Sequence, residues 1–178
     1  MPRYVAFLGS INVGGNQLKM AELRQALAAE GFENVGTVVA SGNVLFDHPR
    51  ATDAKLEGEI ARIIADRFGI DTFAAVRGRA ELADAIAENP FADDGEDKCV
   101  HTLFLEKQPA QADFIRLEKD HEGRGNERMA LGRKALHLDY ADGVARSKLT
   151  GDFMARRLGC RGTARNLRSM RRILDKMD

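Results

Sequence analysis

The stretch "VGTVVASGNVLFDH", residues 35–48, decides how this chain folds. It contains two β-branched runs joined at "SGN", where Gly42 can take positive φ as the first central residue of a tight hairpin turn, with Asn43 second. Read that way, the stretch is an antiparallel pair. Its neighbours on both sides are helical. Upstream, Met20, Leu23 and Leu27 recur at helical spacing among alanines until Gly31, which predicts a helix over 19–30. Downstream, Pro49 closes the pair, and Leu56, Ile60, Ile63, Ile64 and Phe68 form the apolar stripe of a second helix ending at Gly69.

Outside those helices lie two more strands. "RYVAFLG", residues 3–9, is a nearly continuous apolar run, as expected of a strand buried on both faces, and "DTFAAVRG" supplies the fourth strand. A short helix around Leu82 and Ile86 stops before Pro90. The order is β-α-β-β-α-β with a trailing helix.

The second half repeats that order. "VHTLFLEK" (100–107) reads as a strand, 110–120 as a helix around Phe114 and Leu117, and "ERMALG" with "ALHLDYA" as two strands flanking "GRK". Residues 146–158 read as a helix with Leu149, Phe153 and Leu158 inward, and "CRGT" as a brief strand. The last helix carries Leu167, Met170, Leu174 and Met177, with Thr163 as its expected N-cap. The expected fold class is α+β: two ferredoxin-like (split β-α-β) subdomains in tandem, with mostly antiparallel sheets. They are expected at 1–88 and 97–178, joined by a linker at 89–98 within the Asn, Pro and Asp-rich "ENPFADDGED".

Composition bounds function without naming it. The 178 residues are 44% hydrophobic and 30% charged, typical of an ordinary globular protein. Charges at Arg3, Lys19, Glu22 and Arg24 interrupt the N-terminal region, and no window approaches the ~20 apolar residues that span a bilayer, so a cytoplasmic protein without a membrane partner is expected. Cys99 and Cys160 have no CxxC spacing and read as small apolar residues. Net charge is zero, yet residues 144–178 hold ten Lys/Arg against three Asp. This segment is either a polyanion-binding face or a pair of helices with basic solvent faces.

In a sheet of order 4-1-3-2, the loop after the first strand and the turn between the second and third share one rim. That brings "SINVGGN" beside "SGN" and gathers Asn12, Gly14, Gly15, Asn16, Ser41, Gly42 and Asn43. Glycine lets backbone N–H groups face a ligand, the following helix N-terminus favours negative charge, and Asn and Ser add neutral donors. The rim suits a phosphate or carboxylate, although turn chemistry alone also explains the glycines. Neither a Walker motif nor GxGxxG is present. The equivalent rim of the second half would hold Lys107, Gln108, Arg133, Lys134 and Arg161.

The catalytic inventory is thin. His48, His101, His121 and His137 lack metal-ligand spacing and read as ordinary polar or part-buried side chains, and "DDGED" (93–97) reads as solvated linker. Trp is absent and there are two Tyr, a poor supply of stacking platforms for single strands.

Taken in order, "INVGGNQLKMAELRQAL", "SGNVLF", "ENPF", "DGVARSKLT" and "GTARNLRSMRRIL" resemble the bacterial family called domain of unknown function 1697, over essentially the whole chain. The resemblance implies a compact α+β protein of two related subdomains and no established activity or cofactor. Two departures stand out. Gly9-Ser10 replaces the Arg-Gly usual before "INVGG", which weakens an anion role for that rim. Ala164 to Arg168 replace Thr-Arg-Asn-Trp-Asn, matching at Arg165 and Asn166, with Leu167 where the family has Trp. In "RSKL", Arg146, Ser147 and Lys148 match; Ser147 can cap its helix, and Arg146 and Lys148 can hold phosphate or neighbouring carboxylates.

Three functional readings follow. The first is a binding module for a small anionic or phosphate-bearing ligand, using Asn12, Gly14, Gly15, Asn16, Ser41 and Asn43, with Arg146, Lys148 and Arg165 as candidate cations. The second is a nucleic-acid-binding protein using the basic C-terminal segment and an open sheet face. The third is an enzyme of unknown reaction, for which no nucleophile or acid–base pair can be nominated.

Overall fold

The computed structural model describes residues 1–9, 17–49 and 54–178, apart from the side chains of residues 40 and 41. The chain forms two compact units, Met1–Leu82 with Arg172–Asp178, and Ala83–Arg171.

In the first unit, β1 (Arg3–Leu8), α1 (Met20–Ala29), β2 (Glu33–Val38), β3 (Ala40–Asp47), α2 (Ala54–Phe68) and β4 (Ala74–Gly78) build an antiparallel sheet of order β2-β3-β1-β4. This is the split β-α-β arrangement. Leu23 and Leu27 of α1 and Leu56, Ile60, Ile63 and Ile64 of α2 pack on Tyr4, Ala6, Leu8, Val44, Phe46 and Val76. Each of the Leu, Ile, Val and Phe side chains contributes about 1.5–3 kcal/mol by leaving water. The other face of β1 is buried too, at Val5 and Phe7, which is why its sequence is apolar at nearly every position.

α1 ends where Gly31 takes φ +91°, and α2 where Gly69 takes +65°. Glu57, buried on α2, accepts from the Val76 amide at 2.8 Å and from Arg77 at 3.3 Å. A side chain thus occupies a donor on the edge strand β4 that no neighbouring strand reaches.

The β2–β3 corner differs from expectation. It turns at Val39, with φ +68°, where Val38 faces Ala40. Asn43 is no turn residue: it pairs with Phe7 in the β1 ladder. One step along β2, from Thr37 to Val38, answers four along β3, from Val44 to Ala40. The excess is taken up as a bulge in which Gly42 holds φ +91°. Positive φ at Gly42 was legible; its place in the ladder was not.

The second unit contains β5 (Val100–Leu105), α4 (Gln111–His121), β6 (Arg128–Gly132), β7 (Ala135–Asp139), α5 (Gly151–Leu158) and β8 (Gly162–Asn166), with sheet order β6-β7-β5-β8. All three pairings are antiparallel, so the topology of the first sheet recurs. Phe114 and Leu117 of α4 and Met154 and Leu158 of α5 cover Leu103, Leu105, Leu136 and Leu138. The opposite sheet face is buried at Val100, Thr102, Phe104 and Ala135. α3 (Arg79–Ala87) and α6 (Leu167–Lys176) each cross a boundary between the units. Within residues 89–98, Phe91 is buried, and Asp94 pairs with Arg128 at 2.9 Å.

Two helix starts also differ. The 146–158 helix begins only at Gly151, because Thr150 Oγ1 accepts from the Phe153 amide at 3.2 Å and caps it there. Thr163 belongs to β8, so α6 is capped instead by Asn166, whose Oδ1 accepts from the Ser169 amide at 2.8 Å. No helix among the described residues is long and apolar enough to cross a membrane.

Candidate functional site

The register Phe7–Asn43 and Val38–Ala40 brings the end of β1 and the β2–β3 corner to the same end of the first sheet. Gly9 leaves β1 there, its amide donating to Phe73 O at 3.0 Å and its carbonyl accepting from Thr72 Oγ1. A Cβ at Gly9 would fall 2.3 Å from Phe73 Cε1, so any larger residue there requires that ring to shift. Asn12, Gly14, Gly15 and Asn16 lie outside the described residues, as does the Ser41 side chain. Asn43 is 1% exposed and sits within the ladder.

On the corresponding rim of the second sheet, Gln108 clamps the β6–β7 corner: Nε2 donates to Gly132 O at 3.3 Å, and Oε1 accepts from the Lys134 amide at 2.7 Å. Its arginines are engaged with carboxylates. Arg161 forks onto Glu106 at 3.1 Å, and Arg133 lies 2.6 Å from Glu88 and 3.4 Å from Asp84. Arg165 stands on β8 opposite Thr102 and donates to Thr163 Oγ1 at 2.6 Å and Ala164 O at 2.9 Å. Burial pushes its guanidinium pKa down to about 10.

Arg146 and Lys148 come together elsewhere. The loop after β7 carries them to a pocket of about 480 Å³, which Arg124, Asn126, Glu127, Asp142 and Ser147 also line. Arg124 follows the end of α4, where it lies 4.5 Å from the centroid of Phe153, a ring that Arg157 also approaches at 3.6 Å. Among the described residues, Arg124, Arg146 and Lys148 make no ion pair. Elsewhere in the basic C-terminal segment, Arg157, Arg161 and Arg171 are tied to Asp120, Glu106 and Asp97.

Glu127 is the fixed point of this pocket. Oε1 lies 2.8 Å from His121 Nε2, and Oε2 accepts from Ser147 Oγ at 2.9 Å. Ser147 Oγ accepts in turn from the Leu149 amide at 3.0 Å. Ser147 therefore braces the loop that carries Arg146 and Lys148 instead of capping α5. Burial pushes the Glu127 carboxyl up, but hydrogen bonds from Ser147, its own amide and His121 outweigh it and hold it below the usual carboxylate range. With both oxygens occupied, Glu127 remains ionised and already satisfied.

The sequence nominated Arg146 and Lys148 as cations and Ser147 as a helix cap, and these three line one pocket; it did not nominate Arg124, Glu127 or His121. The charged run "KDHEGRGNER" (119–128) carries no spacing that separates these from solvent-facing neighbours. No group of three or more His, Cys, Asp or Glu among the described residues is placed to hold a metal ion.

The fold has a solved counterpart. Conserved bacterial protein SP0830 from Streptococcus pneumoniae aligns over 99% of this chain and 98% of its own, with TM-score 0.75 and 21% identity. Comparison with curated proteins gives no match. The model of a protein family of unknown function, DUF1697, matches residues 1–137, and the chain belongs to that family.

Proposed function

We propose that the protein is a binding module for a small anionic ligand, carboxylate or phosphate, seated between the 123–127 and 141–148 loops of the second unit. One observation carries this reading: Arg124, Arg146 and Lys148 line a single pocket without a carboxylate partner among the described residues. Two of them flank Ser147, whose hydroxyl is anchored to a buried carboxylate, so their backbone is positioned before any ligand arrives. Guanidinium and ammonium groups bind anionic oxygen by charge-assisted hydrogen bonds. The rim residues Asn12, Gly14, Gly15, Asn16 and Ser41 remain a second seat in this proposal, supported by their sequence pattern alone.

The nucleic-acid reading has less support. The sheet face that a single-strand reader exposes is buried here at Val100, Thr102 and Phe104.

The test is titration of the ¹⁵N-labelled protein with inorganic phosphate and with acetate. Either anion should shift the amides of residues 124–127 and 142–148, and the double variant Arg146→Ala/Lys148→Ala should weaken binding by about tenfold or more. Shifts confined to residues near Gly9 would move the seat to the rim. No response anywhere would end the proposal.

A further inference from the structure

His137 occupies a different place in the second unit and is built into it differently from the other histidines. It lies on β7, 3% exposed, opposite Ala130 on β6 and Thr102 on β5. Its Nδ1 is 3.1 Å from Thr102 Oγ1, and that oxygen lies 3.5 Å from Asn89 Nδ2. The Asn89 side chain is itself oriented, its Oδ1 accepting from the Phe91 amide at 3.0 Å. An amide nitrogen only donates, so Thr102 Oγ1 accepts from Asn89, and its own proton and second lone pair let it either donate to His137 Nδ1 or accept from it. Where Thr102 donates, the ring proton sits on Nε2.

Nε2 has no hydrogen-bond partner among the described residues, and it is not sealed in: His121 Nδ1 is the one enclosed side-chain polar atom there that lacks a partner. His137 lines a pocket of about 390 Å³ with Glu88, Pro90, Ala130, Leu131, Gly132 and Arg133. The approach to Nε2 depends on Gly132, where a Cβ would stand 2.6 Å from that nitrogen. Burial holds the imidazole below its usual range against a weaker upward pull from Glu88, so the ring is neutral at physiological pH.

We propose that this pocket is a second binding site, distinct from the cationic one, which takes a small neutral carbonyl compound of the amide type with its oxygen accepting from His137 Nε2–H. The lining argues against an anion. Arg133 is already paired with Glu88, so the two lining charges cancel, and Pro90, Ala130 and Leu131 offer apolar walls. A carbonyl oxygen satisfies the free donor without bringing charge into this setting.

The test uses N-methylacetamide as probe. Long-range ¹H–¹⁵N correlation of the imidazole should place the proton on Nε2. Titration should move the His137 ring nitrogens and the Gly132 and Arg133 amides, and sodium acetate at equal concentration should move them less. Gly132→Ala, which sets a methyl group against Nε2, should weaken the response by about tenfold while the remaining spectrum stays that of the folded protein. If that variant perturbs β6, the pair His137→Gln and His137→Phe decides: glutamine keeps an N–H donor and should retain binding, whereas phenylalanine should lose it. A proton on Nδ1, an unmoved ring during titration, equal response in all variants, or preference for acetate would each overturn the proposal.

Discussion

Glu127 Oε1 lies 2.8 Å from His121 Nε2, across a turn of the chain that joins the end of α4 to β6. Both side chains are almost fully enclosed, at 7% and 6% exposure. The second oxygen of the same carboxylate holds Ser147. One buried group thus links the end of α4, the segment leading into β6 and the loop that carries Arg146 and Lys148. Because charge-assisted hydrogen bonds inside a protein are stronger than those at its surface, this carboxylate sets the shape of the cationic pocket.

Replacing Glu127 by Gln should therefore cost about 2 kcal/mol at neutral pH, read as a lower urea midpoint with unchanged slope. The folded carboxyl titrates below its unfolded value, so its contribution is complete above the ordinary carboxylate range and is lost as pH falls through the folded pKa. Wild-type stability should decline below about pH 4, and that part of the decline should be absent in the variant. Equal midpoints for the two proteins at neutral pH would contradict the role given to Glu127.

Tyr140 titrates in the opposite sense. Burial, aided by the nearby charge of Glu127, pushes its phenol up to about 12. An unfolded tyrosine ionises near pH 10, so the folded state loses stability between about pH 10 and 12 as the unfolded chain gives up its proton first. Phenolate absorbance should show a late ionisation that Tyr140→Phe removes.

The buried pair Glu57–Arg77 should be intolerant of half-removal. Glu57→Ala leaves the Val76 amide without its acceptor and Arg77, 6% exposed, without that carboxylate. Removing one member of a buried pair costs about 3–5 kcal/mol, visible as a large drop in melting temperature. A loss below about 1 kcal/mol, the level of an exposed pair, would show that water reaches this site.

At α5 the two ends make separable contributions. Thr150→Ala removes the hydroxyl that accepts from the Phe153 amide, and Gly159→Ala places a side chain where φ is +76°. Each change should destabilise by about 1 kcal/mol, and the double variant by about their sum, in denaturant titrations.

Much of the architecture was legible before any coordinates. Leu23 with Leu27, and Ile60 with Ile63 and Ile64, announce helices because a 3.6-residue period places them on one face. "RYVAFL" reads as a strand buried on both faces, and β1 is one. The corner at Val39 could not be read, since a β-branched residue at positive φ contradicts local preference and is held there by the ladder beyond it. Ser147, Thr150 and Thr163 each have a capping hydroxyl, and local chemistry does not choose among them. Ser147 is drawn away by Glu127, and Thr163 by its place in β8.

The candidate sites divide in the same way. Arg146 and Lys148 were identified from their own motif, whereas Arg124 and Glu127 join them only because the 123–127 and 141–148 loops meet. His137 looked ordinary in sequence; Thr102, Asn89 and Gly132, brought beside it by strand pairing and by the turn before β5, partner its Nδ1 and leave room at its Nε2.

From sequence alone came the elements, their order and both sheet topologies, because partition of apolar side chains from water acts through short, regular spacings that the chain displays directly. Tertiary structure decided which charges are paired, which hydroxyl caps which helix and which nitrogen faces open space. Those outcomes depend on distances of a few ångströms between residues far apart in the chain, and such distances exist only after the strands have paired.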